Sequence, residues 1–200
     1  MKRSMMQTVF LLVFLLYPLC AGASVIQEKV YDICKYGAKG DGKTLNTNAI
    51  NSAIEYCAEN GGGTVLIPKG TFLSGTIYLK DNISLVLRKG AVLKGTADVS
   101  QYKSYTPLGN LSMFDSGGDG ENANSAIDPH WNRALILGVG VSNISIEGEG
   151  IIDGNHVFDS EGEENMRGPH TIIIAESRNI LMPVSYTHLR AHDTGAYLVC

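Results

Sequence analysis

The tetrapeptide Asn82-Ile83-Ser84-Leu85 recurs as Asn143-Ile144-Ser145-Ile146, and each copy runs on into a short apolar segment closed by glycine. The two endings are Gly90-Ala91-Val92-Leu93-Lys94-Gly95 and Gly150-Ile151-Ile152-Asp153-Gly154. A second self-similarity sets Ala134-Leu135-Ile136-Leu137, nine residues before Asn143, against Thr171-Ile172-Ile173-Ile174, eight before Asn179. Both lead through a polar corner into Asn-Ile. Repetition on this scale limits the fold. One such unit cannot bury its own apolar residues, whereas units piled on one another share a continuous core. Asparagine suits the corners because it tolerates the left-handed conformation and hydrogen-bonds locally. Stacked in successive coils, such asparagines can pair as a ladder.

The rest of the pattern agrees with a solenoid. Residues 30–36 alternate in strand fashion, with Val30, Asp32 and Cys34 on one side and Tyr31, Ile33 and Lys35 on the other. Gly37, Gly40 and Gly42 mark a flexible turn. Asn46 or Thr47 can then cap a helix over about 48–59, whose Ile50, Ala53, Ile54 and Cys57 share one face. Asn60-Gly61-Gly62-Gly63 stops it. Beyond the glycines the helical period disappears, and strands are expected over 64–67, 71–79, 83–87 and 91–93, each ended by a turn signal. The helix would cap an otherwise open sheet edge. Residues 101–132 and 155–168 interrupt the coils as long polar loops, which in a compact fold are usually functional or disordered.

The first segment has the form of an export signal. Lys2 and Arg3 precede an apolar run over 9–17, and Ala21-Gly22-Ala23 is a small-x-small cleavage site, so residues 1–23 are expected to be removed. The run is too short for a membrane span of ~20 residues. A lipoprotein signal using Cys20 is the alternative, against which stands the bulky Leu19. Destination is therefore periplasmic or extracellular. There, Cys34 and Cys57 either form a disulfide or remain two small buried thiols. No CxxC or Cys/His cluster points to a metal, and no cofactor is expected. The net charge of −4, without a basic stripe, argues against nucleic acid. It leaves an acidic polymer open as a partner, provided that Lys and Arg line one groove.

Residues 30–182 resemble a known family. Tyr36-Gly37-Ala38-Lys39-Gly40-Asp41-Gly42-Lys43-Thr44, then Asn48-Ala49-Ile50, then Gly62-Gly63-Thr64-Val65-Leu66-Ile67-Pro68-Lys69-Gly70 look like the opening of pectin-lyase-fold proteins. Gly150-Ile151-Ile152-Asp153-Gly154, Arg167-Gly168-Pro169-His170 and Arg178-Asn179-Ile180 are similar to family 28 of the glycoside hydrolases, the polygalacturonases and their relatives. The family usually has Arg-Pro-His without the inserted glycine, and a Trp pair after the Asp-Gly where this chain has Asn155-His156-Val157-Phe158. The resemblance implies an all-β fold, a right-handed parallel β-helix with an N-terminal capping helix, of which residues 24–182 form the first coils. It implies inverting hydrolysis of galacturonosyl linkages in acidic plant cell-wall polysaccharide or its oligosaccharides. A uronate lyase or epimerase on the same fold, and a non-catalytic adhesin or tailspike, are the alternatives.

The family's catalytic carboxylates lie in an Asn-Thr-Asp stretch and an Asp-Asp pair, accompanied by Gly-His-Gly and Arg-x-Lys. None of these occurs in this sequence, so no catalytic residue is assigned and the chain alone is expected to be inactive. Candidate substrate contacts are Arg167 and His170, since a guanidinium can grip a uronate carboxylate bidentately. Pairing of Arg167 with the nearby acidic residues, and packing of His170 in a corner, is the competing assignment. Trp131 and Arg133 could stack on a sugar or anchor a loop. Asp153 is read as a turn residue, and Glu161, Glu163 and Glu164 as a solvated loop face. The sequons at Asn82, Asn110 and Asn143 coincide in two cases with coil corners. Finally, residues 183–200 form a tail foreign to the pattern. From Val184 onward they resemble a translated sequencing adapter, with Asp193 where the adapter frame gives Glu. His188, His192 and Asp193 therefore make no credible site.

Overall fold

The computed structural model describes residues 29–106, 108–109, 133–160 and 168–183, together with the backbone of 196–199. Strand β1 (Val30–Asp32) leads into a 3-10 turn (Ile33–Tyr36), β2 (Asp41–Leu45) and the helix α1 (Thr47–Glu59). The next coil comprises β3 (Gly63–Ile67), β4 (Gly70–Ser74) and β5 (Ile77–Tyr78). A third coil follows with β6 (Ile83–Leu87), β7 (Ala91–Gly95), a 3-10 turn (Val99–Gln101), β8 (Lys103–Ser104) and β9 (Arg133–Val139). The fourth holds β10 (Ser142–Gly148), β11 (Ile151–Asp153) and β12 (His170–Ala175), and a fifth begins with β13 (Arg178–Leu181). Strand β14 (Ala196–Val199) lies beside β12.

These strands form three sheets that run the length of the column. The first has the order β1-β3-β6-β10-β13, the second β2-β4-β7-β11 and the third β5-β9-β12-β14. Every pairing along them is parallel; β8 alone runs antiparallel, against β9. The fold is the expected right-handed parallel β-helix, with one helix among the described residues. Inward-facing side chains from all three sheets make one core, including Val65, Ile67, Phe72, Ile77, Leu85, Leu93 and Ile136. Helix α1 closes the first coil with the four residues that the period singled out: Ile50, Ala53, Ile54 and Cys57 are all buried. Burying a side chain of the isoleucine class is worth roughly 1.5–3 kcal/mol, which fixes the cap to the column.

Register is set at one corner of each coil. Asn82, Asn143 and Asn179 have φ of 60°, 57° and 56°, the left-handed region. The Nδ2 of Asn143 donates to Oδ1 of Asn82 at 2.9 Å, and the Nδ2 of Asn179 donates to Oδ1 of Asn143 at 2.8 Å. Gly62 stands at the same corner one coil earlier, also with positive φ, where an added Cβ would collide with the backbone of Asn82. Beside the ladder a second polar row runs along the first sheet, with Ser145 Oγ hydrogen-bonded to Ser84 Oγ and Glu147 Oε1.

Several sequence expectations are corrected by these contacts. Strand β1 stops at Asp32 because its carboxylate accepts from Cys34 N and starts a 3-10 turn. Residues 41–45, expected as part of a turn, form β2. Asp41 organises it by accepting from the backbone of Lys43 and Thr44 and from the Thr44 hydroxyl, contacts that hold its pKa down at about 2. The single strand expected over 71–79 is two, β4 and β5, broken where Gly75 N donates to Thr47 Oγ1. Helix α1 begins at Thr47, and Asn46 does not cap it with its side chain. The Asn46 side chain is instead buried against Lys39, Thr44 and Leu73 backbone atoms. The third-sheet repeat is also shifted by one residue. Ala134 stands beside His170 rather than Thr171, because the corner asparagines impose their own spacing. Likewise Gly150 stands beside Ala91, not Gly90: Ile151 pairs with Val92, and the preceding corner is shorter in the fourth coil.

Both described cysteines are free thiols. Cys34 is exposed because the neighbouring Ile33 takes the inward position, and Cys57 is buried on the inner face of α1. Burial pushes the Cys57 thiol up to about 11 and also raises that of Cys34, with Asp32 adding to the effect there. In the native protein near neutral pH, a thiol-specific reagent should label Cys34 slowly and Cys57 only after unfolding; equal rates would contradict this packing. For the ladder, Asn143→Ala loses both amide hydrogen bonds and meets the left-handed penalty. It should cost about 2–3 kcal/mol, against about 1 kcal/mol for Asn143→Gly, which keeps the conformation. Denaturant midpoints of the two variants check the order.

Candidate functional site

Both long insertions leave the column at the same corner. Residues 96–132 connect β7 in the second sheet to β9 in the third, and residues 154–169 connect β11 to β12 in the same way. The described residues of the first, up to Tyr105, reach the outer face of the third sheet. In solenoids, insertions confined to one face commonly build the binding surface. An ion pair ties the second insertion to the start of β9: Arg133 Nη1 meets Asp159 Oδ2 at 2.7 Å, with side chains 23% and 10% exposed.

The first insertion is anchored step by step. Asp98 accepts from Ser100 N, Ser100 Oγ and Gln101 Nε2, and these contacts lower its pKa and form the 3-10 turn. Tyr102 enters the core and its hydroxyl donates to Thr96 O at 2.7 Å; burial, with the Asp153 carboxylate as a second cause, drives its pKa upward. Thr76 Oγ1 is buried between strands. It donates to Ala134 O at 2.6 Å and accepts from Lys103 N at 2.7 Å, seating β8 against β9.

Past β8 the chain crosses the outer face of the third sheet. Tyr105 packs on a separate apolar cluster of Ala134, Leu137, Ile173 and Ala175, all nearly fully buried. On the far side, Glu176 receives the backbone N–H of Leu108 on Oε1 and that of Gly109 on Oε2, both at 2.6 Å. A Leu108 methyl fills the space over Gly140 that a Cβ would need. Glu176 itself has φ of 52° at the corner that follows β12.

His170 is the first residue of β12, pairs with Ala134 and is 4% exposed. Arg167 lies outside the described residues, as do Trp131, Glu161, Glu163 and Glu164. Arg133 is engaged by Asp159. Asp153 is the expected turn residue, accepting from Asn155 N at 2.8 Å, and it also lies 4.0 Å from Lys94 Nζ. Thr76, Tyr105 and Glu176, which hold the crossing segment, carry no signal in the sequence because their partners lie far along the chain. Among the described residues, no group of three or more His, Cys, Asp or Glu side chains could hold a metal ion. No described helix is long and apolar enough to cross a membrane.

The model of a family described as rhamnogalacturonase A/epimerase, pectate lyase-like, matches residues 30–167. An exo-poly-alpha-D-galacturonosidase of Dickeya chrysanthemi is 39% identical over 128 residues, which is 64% of this chain and 20% of that protein. Among solved structures, a Thermotoga maritima exopolygalacturonase aligns with a TM-score of 0.55 at 21% identity, covering 77% of this chain and 40% of that one. A family 28 exopolygalacturonase of Yersinia enterocolitica gives 0.53 at 22% identity, covering 78% and 39%. Those two likenesses concern the fold. The chain spans about a fifth of the length of the curated relatives it matches.

The Arg133–Asp159 pair is expected to be a working tie between β9 and the second insertion. Arg133→Met and Asp159→Asn should each destabilise by about 2 kcal/mol, below the 3–5 kcal/mol of fully buried pairs because both groups keep some solvent. A double-mutant cycle should return a coupling on the order of 1–2 kcal/mol. Strict additivity would show that the contact contributes nothing.

Proposed function

The chain belongs to the pectate lyase-like rhamnogalacturonase A/epimerase family and is polygalacturonase-like, and on that footing we propose that it forms the first coils of an exported pectin-degrading glycoside hydrolase. The observation that carries this reading is the family match over residues 30–167, which takes in the cap, the strands from β1 to β11, the first insertion and most of the second. The proposed substrate is acidic plant cell-wall galacturonan. Residues 1–23, outside the described residues, are the export signal.

Hydrolysis needs a carboxylic acid to protonate the leaving glycosidic oxygen and a carboxylate to take a proton from water. The water oxygen bonds to the anomeric carbon as the old C–O bond breaks. Inversion requires the two carboxyl groups to stand roughly 6.5–9.5 Å apart. Neighbouring coils, ~4.8 Å apart, can present such a set from equivalent strand positions. We place it on coils beyond β13, because this sequence contains none of the family's catalytic motifs. Arg167 is proposed to meet a uronate carboxylate. His170, three residues on, is buried at the start of β12. Residues 183–200 are taken as foreign to the protein. The backbone slot beside β12 that Ala196–Val199 occupies accepts any extended segment, since ladder pairing uses main-chain atoms.

The test is the gene's own reading frame past codon 182, expressed whole beside the 200-residue chain. On polygalacturonate the complete product should release reducing ends by hydrolysis, and the shorter chain should release none above a blank. Appearance of an unsaturated, ultraviolet-absorbing product would replace hydrolase by lyase, and an inert complete product would remove the enzymatic reading.

A further inference from the structure

We propose that the edge of the column between the first and second sheets binds a linear acidic polysaccharide along a row of stacked lysines, at a site separate from the third sheet and its insertions. The pectin-degrading reading above supplies only the choice of polymer, a polyuronate. The binding chemistry stands on the row itself.

Each coil turns from the first sheet into the second through a charged residue followed by glycine: Lys39-Gly40, Lys69-Gly70, Lys89-Gly90 and Glu149-Gly150. Parallel pairing brings these corners into one file. Thr71 N donates to Gly40 O and Gly70 N to Gly90 O, both at 3.1 Å, and Gly150 stands beside Ala91. The glycines permit this close approach, since a Cβ on Gly40 would stand 3.1 Å from Gly70 Cα and 2.9 Å from the Phe72 ring. The Lys69 stem runs over the next corner, where its Cγ would lie 3.3 Å from a Cβ on Gly90. Lys35 and Arg88 belong to the same corners, and Lys35, Lys39, Lys69, Arg88 and Lys89 are all exposed. No basic run marks the sequence, because most of a coil separates one corner from the next.

The row lacks counter-charge. Among the described residues, Lys35, Lys39, Lys69 and Arg88 have no ion-pair partner. Asp32 and Asp41 lie near the row along the chain, but their carboxylates accept from the backbone N–H groups of Cys34, and of Lys43 and Thr44. Lys89 meets Glu149 at 3.8 Å with side chains 86% and 75% exposed, and so open a pair contributes little. Strands of successive coils are ~4.8 Å apart. That is inside the screening distance of ~8 Å at physiological ionic strength, so cations on neighbouring corners act together on one ligand. A polyuronate carries a carboxylate on every sugar and can meet them in file. The file is narrow and belongs to a chain of net charge −4, which favours a thin polymer over a broad polyanion such as duplex DNA. It ends at the fourth coil, where Glu149 reverses the sign.

The test is electrophoresis of the complete protein, in the cold and at low salt, through gels that contain polygalacturonate. The triple variant Lys39→Gln, Lys69→Gln, Lys89→Gln should bind the polymer about tenfold more weakly, with a flatter dependence on salt. Glu149→Lys extends the row by one coil and should bind several-fold more tightly. Fully methyl-esterified pectin, which has no charge, should retard wild type and both variants alike. Turnover of a short soluble galacturonate oligomer should be the same in all three proteins. Unchanged polymer binding in the triple variant, or weaker binding by Glu149→Lys, would overturn the proposal. So would wild type binding duplex DNA as tightly as polygalacturonate. Slower turnover of the oligomer in the triple variant would put the lysines in the catalytic groove and refute a separate site. An inert complete protein whose retardation still depends on the lysines would remove the hydrolase reading and keep this site. Hydrolysis with retardation indifferent to the lysines would do the reverse.

Discussion

A side-chain amide offers a donor and an acceptor on one small plane, so a row of them can repeat along a stack without an end until the row stops. Asn179 donating to Asn143, and Asn143 to Asn82, uses that property at the corner where the chain turns from the third sheet into the first. The same corner demands left-handed backbone, which asparagine accepts at lower cost than other residues with a Cβ. Conformation and hydrogen bonding thus select one residue type for two independent reasons, and the register of the coils follows. Because the side-chain period in a strand is two, a slip of one residue would turn every core side chain outward. Ile144 and Ile180 face inward, and are held there, because their asparagine neighbours cannot slip.

Once register is fixed at that corner, length differences between coils have to be taken up elsewhere. They are taken up between the second and third sheets, where residues 96–132 and 154–169 leave the column. Parallel pairing of β9 with β12 and of β10 with β13 is undisturbed by them. The design separates two tasks. One corner keeps the stack in step, and another is free to vary and to build a surface over the third sheet. The buried threonine Thr76 shows how the free corner is brought back to order, since a single hydroxyl serves both β8 and β9.

What could be read in the sequence follows the range of each interaction. The corner asparagines, the helix face of Ile50, Ala53, Ile54 and Cys57, and the short apolar strands all depend on neighbours in the chain, and all were legible. The 3-10 turn after Asp32 and strand β2 were misjudged because one side-chain carboxylate in each case recruits nearby backbone N–H groups, and alternation or glycine content does not register that. The one-residue shift between Ala134 and His170 was hidden because the apolar runs on both sides are long enough to align in two ways. Glu176, Thr76 and Tyr105 were invisible for a different reason: the residues they hold are separated from them by a whole coil or more. Of the two candidate contacts, Arg167 lies outside the described residues, and His170, for which both substrate contact and packing in a corner were open, opens a strand buried on both faces.

That double burial of β12 connects the fold to the chemistry proposed for it. A β-helix sheet normally shows one face to the core and one to solvent, and the solvent face is where a polysaccharide can lie. In the third sheet at β9 and β12 the solvent face carries alanine, leucine and isoleucine rather than polar groups, and a tyrosine lies over it. Apolar residues on an outer face are unfavourable unless something covers them, so the composition of these strands and the Tyr105 segment that lies over them require each other.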